Sequence, residues 1–290
     1  MSNNKRDLDH ISGVETTGHE WDGIKELDNP MPRWWLWTLY ATIVFAIGYT
    51  IVYPAFPGLT TNSKGLWGWS SRGDIEQTMA GVAEGRKAVE DKIAAADIAA
   101  VMADPEMKAF AVSAGGSTFK VRCAACHGSG AQGAVGFPNL NDDDWVWGGK
   151  PDQIVATIAH GVRAADGATR QSQMPAFGAG VLKPEQITQV ANYVWTLSGG
   201  KADDEAAAKA GQQVFADNCA ACHGDQGQGN QDMGAPKLAD QIWLYKGSVA
   251  DIAAQVNNPK HGVMPAWEPQ LGPVKVKELA AYVISLGGSK

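Results

Sequence analysis

The chain has 290 residues, enough for two small domains and additional segments. Charged residues make up 19% and hydrophobic residues 44%, a composition that excludes a wholly disordered chain. The formal net charge of -7 argues against nucleic acid as a partner and suits docking to a basic protein.

Residues Met1 to Arg33 are polar and carry no apolar period; Lys5, Arg6, Lys25 and Arg33 stand among more numerous acids. They read as a tail on a membrane surface, with a disordered extension as the alternative for residues 1–20. From Trp34 to Phe56 there is no charged residue. As a helix this run spans about 34 Å, enough to cross the hydrocarbon core of a bilayer. Trp34, Trp35 and Trp37 flank one end, and Tyr49, Tyr53 and Phe56 the other, in the manner of interfacial aromatic belts. Pro54 and Pro57 stop the helix. A cleaved signal peptide fits less well, because a long polar segment precedes the run and no small-residue cleavage site follows it. Gly58 to Gly73 reads as a linker, with Trp67 and Trp69 as candidates for the lipid interface. Asp74 to Ala103 is rich in Ala, Glu and Lys and reads as a helical stalk, broken at Asp104-Pro105.

The remainder is a duplication. Cys123-Ala124-Ala125-Cys126-His127 recurs as Cys219-Ala220-Ala221-Cys222-His223, and the two copies use all four cysteines of the chain. C-x-x-C-H is the attachment signature of c-type haem. The thiols form thioethers with the haem vinyl groups, and the His becomes the proximal iron ligand. A pair of redox dithiols would not need His after the second Cys in both copies, and one zinc site built from four cysteines would leave both His residues unexplained. Gly115 and Phe119 precede Cys123 by eight and four residues, as Gly211 and Phe215 precede Cys219, which marks one face of a helix leading to the haem. Pro138-x-Leu140, Trp145 and Trp147 match Pro236-x-Leu238, Trp243 and Tyr245. His160-Gly161-Val162 matches His261-Gly262-Val263, and Met174-Pro175-Ala176 matches Met264-Pro265-Ala266, the first copy having the longer loop in between. Each copy ends in an amphipathic helix, Pro184 to Leu197 and Val274 to Leu286. The matched motifs lie about 90 to 100 residues apart, too long a period for a solenoid.

Cys123, Cys126, Cys219 and Cys222 are therefore the covalent haem sites, and His127 and His223 the proximal iron ligands, which gives two haem c groups. Met174 and Met264 are the candidate distal ligands: they hold the same place in each repeat, and the following Pro stiffens the loop. A thioether opposite His raises the potential, and a closed six-coordinate iron leaves no place for substrate. His160 and His261 are rival ligands, with a structural or propionate-facing role favoured. Pro138 and Pro236 are expected to offer carbonyls to the free ring nitrogens of His127 and His223. For Trp145, Trp147, Trp243 and Tyr245, donation to propionates and plain core packing both stand.

With these residues in hand, each repeat resembles a class I cytochrome c domain. The order of segments, and Asp28-Asn29-Pro30-x-Pro32-Arg33-Trp34-Trp35 in particular, is similar to the dihaem subunit III of cbb3-type cytochrome c oxidases, the CcoP or FixP family. The resemblance implies an all-α protein: a cytoplasmic tail over 1–33, a transmembrane helix over 34–56, a periplasmic linker and stalk over 57–109, and cytochrome c domains over 110–200 and 206–288. It implies a single pass through the inner membrane, N-terminus in the cytoplasm and haem domains in the periplasm; the positive-inside rule is nearly silent here. It implies a non-catalytic electron-transfer subunit within an oxygen-reducing, proton-pumping complex. The expected partners are subunit I with its haem-copper centre, monohaem subunit II, a small fourth subunit, membrane lipid, and a donor cytochrome c or the bc1 complex. It further implies that Met264 serves the haem on Cys123 and Cys126, and Met174 the haem on Cys219 and Cys222, a crossing that spacing alone does not separate from the uncrossed pattern. The alternatives are a membrane-anchored dihaem shuttle feeding another terminal reductase, and a dihaem peroxidase, against which two Met-Pro loops argue.

Overall fold

The computed structural model describes residues 6–287, so that Met1, Lys5 and position 288 of the expected second domain lie outside the described residues. The chain divides into two compact units, Met1–Gly85 and Arg86–Lys290.

In the first unit, the tail is not wholly irregular. Strands β1 (Thr16–Trp21) and β2 (Ile24–Leu27) pair antiparallel, with Glu20 opposite Lys25 and Trp21 opposite Ile24. The two residues between them, Asp22 and Gly23, both have positive φ, 49° and 82°, as a type I′ hairpin turn requires. The hairpin is the one sheet among the described residues of an otherwise helical chain. Helix α1 (Arg33–Val52) follows; it is apolar, unburied by protein and about 30 Å long. It stops at Val52, short of Phe56, because Pro54 biases Tyr53 out of the helical region, to φ -105° and ψ 160°. The chain then folds back on the helix end. Leu66 and Trp67 donate to the carbonyls of Ile51 and Val52, which would otherwise be orphaned. Gly65 makes this approach possible: its φ is +66°, and a Cβ there would lie 2.2 Å from the Val52 oxygen. Trp67 and Trp69 meet the Tyr53 ring edge-on at 5.2 and 5.7 Å.

Helix α2 (Ser71–Ala95) runs from the first unit into the second. In the second unit come α3 (Ile98–Ala103), α4 (Pro105–Arg122), α5 (Ala124–His127), α6 (Pro151–His160), α7 (Pro184–Leu197), α8 (Glu205–Asn218), α9 (Ala220–His223), α10 (Val249–Asn257), α11 (Glu268–Leu271) and α12 (Pro273–Ser285). Asp104 caps α4 through Met107 N at 2.8 Å, and Asp204 caps α8 through Ala207 N at 2.9 Å. The break at Asp104-Pro105 is thus a helix start with Pro at its first position.

The packing exchanges the two repeats. Helix α12, which closes the second repeat in sequence, packs on α4 and α6 of the first. Helix α7, which closes the first, packs on α8 and α10 of the second. The two glycines read from the sequence lie at these crossings. A Cβ on Gly115 would stand 2.0 Å from the carbonyl oxygen of Glu278, and one on Gly211 2.0 Å from that of Gln189. Only Gly lets the helix backbones approach this closely. One turn on, Phe119 contacts Tyr282 and Phe215 contacts Tyr193, at ring centroid distances of 5.1 and 5.4 Å.

Two cores result. One joins Phe119, Ile154, Ile158, Val276, Leu279 and Val283, and takes in Ile93, Ile98 and Val101. The end of the stalk is therefore core rather than spacer. The other joins Val190, Val194, Val214, Phe215, Ile252 and Val256.

Candidate functional site: two haem-binding centres

The CxxCH turns are built the same way twice. Each first Cys caps the preceding helix, its N–H bonding to Phe119 O or Phe215 O at 2.8 Å. The next residues form a single helical turn, closed by Gly128 or Gly224 with positive φ. The His carbonyl then accepts from Gly133 N or Gly229 N at 2.7 Å. His127 Nδ1 lies 3.0 Å from Pro138 O, and His223 Nδ1 lies 2.9 Å from Pro236 O. A carbonyl can only accept, so Nδ1 carries the proton and Nε2 keeps its lone pair for a metal. His223 is buried, and burial lowers its pKa in spite of the opposing bond to Pro236, which favours the neutral imidazole that ligation needs.

A cavity of about 300 Å³ opens at the second centre. Cys219, Cys222, His223 and Met174 line it together. His261 also lines it, as does Met233, which is exposed. The crossing of α7 over α8 explains the presence of Met174, since the loop before α7 is carried with it. Phe177 N and Gly178 N hold that loop to Val256 O and Asn257 O at the end of α10. At the first centre, Met264 packs against the core around Phe119, Ile158 and Leu279, as do Cys123, Ala124, Leu140, Trp145 and Tyr282. Val162 and Met264 exchange both main-chain hydrogen bonds, at 2.9 and 3.0 Å. Met174 thus lies with the CxxCH turn of the other repeat, and Met264 shares a core with Cys123 of the other repeat. His160, the last residue of α6, has its Nδ1 3.2 Å from Asp166 Oδ1 in the loop that follows.

The residues present fit haem c. Burial, with a smaller contribution from the neighbouring Cys, pushes the Cys123 and Cys219 thiols up to about 11. A reactive dithiol needs the opposite shift. Among the described residues no three His, Cys, Asp or Glu side chains converge as a metal-ion cluster, so the four thiols do not form one zinc site. Trp243 lines the second cavity, and its indole nitrogen is buried without an acceptor from the described chain. A propionate carboxylate is the kind of acceptor such a donor requires. Asp144 also lines this cavity; burial first, then the charges of Asp240 and Asp142, raise its pKa to about 6.

Sequence reasoning passed over Arg163 and Arg170. Arg170 reaches Thr157 Oγ1 at 3.0 Å and lies 5.6 Å above the Trp147 ring, a cation–π contact. Arg163 joins the two methionine loops. Both lie in the longer loop of the first repeat, the only sequence signal that could have drawn attention to them.

Among the described residues one helix long and apolar enough to cross a membrane stands ahead of two CxxCH units, the arrangement of a membrane-anchored c-type cytochrome. The family model for cytochrome c oxidase, cbb3-type, subunit III matches residues 110–194 and 206–283, and that for the N-terminal domain of cytochrome oxidase-cbb3, FixP, matches residues 13–60. The chain is 54% identical over 291 residues, all of both chains, to the cbb3-type cytochrome c oxidase subunit FixP of Sinorhizobium medicae. It is 48% identical over 277 residues, 95% of each chain, to the subunit CcoP of Cereibacter sphaeroides. The chain therefore belongs to the FixP/CcoP family of cbb3-type cytochrome c oxidase subunits, which are electron-transfer cytochromes.

Proposed function

We propose that this chain carries two haem c groups in a cbb3-type oxidase, held by Cys123 and Cys126 and by Cys219 and Cys222, with His127 and His223 as proximal ligands. Met264 would ligate the iron of the haem held by His127, and Met174 that of the haem held by His223. The shared cavity of Met174 and His223 is the observation that carries this assignment. When bound, haem c supplies a one-electron Fe(III)/Fe(II) couple. The protein's part would be to present the His and Met side chains to the iron, exclude water and hold the imidazole tautomer through Pro138 and Pro236. Two closed His/Met centres leave no coordination position for substrate, so the chain is an electron-transfer subunit without catalysis of its own. It receives electrons from a donor cytochrome c or the bc1 complex and delivers them to monohaem subunit II, which serves the haem-copper subunit I; a small fourth subunit is a further partner. Helix α1 spans the inner membrane once, with the tail cytoplasmic and the haem units periplasmic, where c-type haem is attached.

Purification in mild detergent tests this reading. Two c haems on this chain, co-purifying with b-type haem and copper, support it. A dihaem chain that purifies alone from membranes containing the oxidase supports the shuttle instead.

A further inference from the structure

One guanidinium touches both methionine loops. Arg163 Nε donates to Gly262 O at 2.7 Å, and Arg163 Nη1 donates to Ser172 O at 2.9 Å. Gly262 stands two residues before Met264, and Ser172 two residues before Met174. We propose that Arg163 is a positioning residue for both methionines, so that one side chain sets the order of the two distal loops together. This rests on the reading of Met174 and Met264 as haem ligands.

The backbone under Arg163 is itself tied to one methionine. Val162, the preceding residue, exchanges both main-chain hydrogen bonds with Met264. Arg163 N donates to Arg170 O at 2.9 Å, and Arg163 has φ +53°. That left-handed conformation costs a side-chain-bearing residue energy, and it persists here inside a closed set of hydrogen bonds. The side chain is partly buried and lines the cavity that holds Met174 and His223. Desolvation of a cation is costly unless its N–H groups find acceptors, and two loop carbonyls provide them. The planar fork of Arg, with separate N–H groups facing two directions, can span both; a single ammonium on a flexible stem is a poor substitute.

The tie has no twin. Residues 163–173 of the first repeat have no counterpart in the second, where Met264 follows Val263 directly. The extra loop is therefore the element that brings a side chain of the first repeat to the carbonyl before each methionine. Beyond Met174 the loop is held separately by the end of α10, through Phe177 and Gly178. Arg163 supplies the restraint on the nearer side.

The test uses the full chain with both haems attached. Arg163→Gln and Arg163→Lys are compared with Met174→Ala and Met264→Ala, by redox titration of each haem and by the ferric charge-transfer band that reports the sulfur–iron bond. Arg163→Gln is expected to leave haem attachment intact, to lower both potentials, and to make both charge-transfer bands disappear at lower denaturant concentration. Arg163→Lys is expected to behave like Arg163→Gln. A change at one haem alone overturns the proposal, as does silence at both while each Met variant alters one haem. Full recovery in Arg163→Lys also overturns it, since the effect would then be one of charge. If neither Met variant alters a haem, the ligand reading itself fails and the tie falls with it.

Discussion

The two CxxCH turns start from the same pentapeptide and end in different surroundings. His223 is 9% exposed and Cys219 7%, whereas His127 and Cys123 are only half-buried. Trp147 and Arg163 of the first repeat line the cavity of the second centre. The motif thus fixes the local geometry of Cys and His, and packing from the other repeat fixes how far water is excluded. Enclosure disfavours the more highly charged ferric state, so the haem on Cys219 and Cys222 should have the higher potential of the two.

Changing the distal ligands should have the largest effect on this comparison. Met264→Ala should lower the potential of the haem on Cys123 and Cys126, and Met174→Ala that of the haem on Cys219 and Cys222. Each drop should reach a few tenths of a volt, within the range of about 0.8 V that axial ligands command. Redox titration of the detergent-solubilised complex reads both.

Next come the cores. Phe119 and Phe215 are each 1% exposed at equivalent crossings. Phe119→Ala and Phe215→Ala should each cost about 3–5 kcal/mol, measured by denaturant unfolding with both haems attached. The first should loosen α12 and the second α7, which proteolysis at the C-terminus and near residue 200 would distinguish.

The crossings differ in one respect. Helix α12 carries Lys277 and Glu278 where α7 carries Thr188 and Gln189. The end of α2 packs on the α12 side, and Lys277 Nζ donates to the carbonyls of Ile93, Ala94 and Ala96 there. Glu278 is 2% exposed, and burial first, then the charge of Glu90, raises its pKa from 4.5 to about 7 against the opposing charges of Lys275 and Arg86. Between those values the unfolded chain releases a proton that the folded chain keeps. Stability should therefore fall as pH rises from 4.5 to about 7, by on the order of 3 kcal/mol, and then level off. Glu278→Gln should flatten this slope and raise Tm above pH 7; an unchanged Tm–pH profile would contradict the burial account. Lys277→Met should have the smallest effect, a loss of about 1–2 kcal/mol, because water can replace part of what the ammonium gives the exposed end of α2. Hydrogen exchange should show that loss concentrated in residues 89–96.

Much of this was legible in the sequence because it is local. The CxxCH turns, the break at Asp104-Pro105, the carbonyls of Pro138 and Pro236 and the helix stop before Pro54 all follow from neighbours within a few turns of chain. Gly115 and Gly211 were visible as matched positions, but their purpose depends on a helix far away in sequence. The hairpin carried its signal in Asp22-Gly23, overlooked because the flanking strands are polar and short. The stalk's end looked too polar for a core; Ile93, Ile98 and Val101 are sparse, and what they fit is a surface on α4 and α12. The exchange of α7 and α12 has no local trace at all. Two amphipathic helices of similar pattern can close either repeat, and only the packed chain distinguishes the choice.

Crossed ligation is the central claim, and variants that carry a single haem test it most directly. With Cys219 and Cys222 replaced by Ala, only a haem on Cys123 and Cys126 should remain. On that background, Met264→Ala should abolish the sulfur–iron charge-transfer band and Met174→Ala should leave it. The converse background should give the converse result. Loss of the band with Met174→Ala and its retention with Met264→Ala, in the chain that keeps Cys123 and Cys126, would contradict the account.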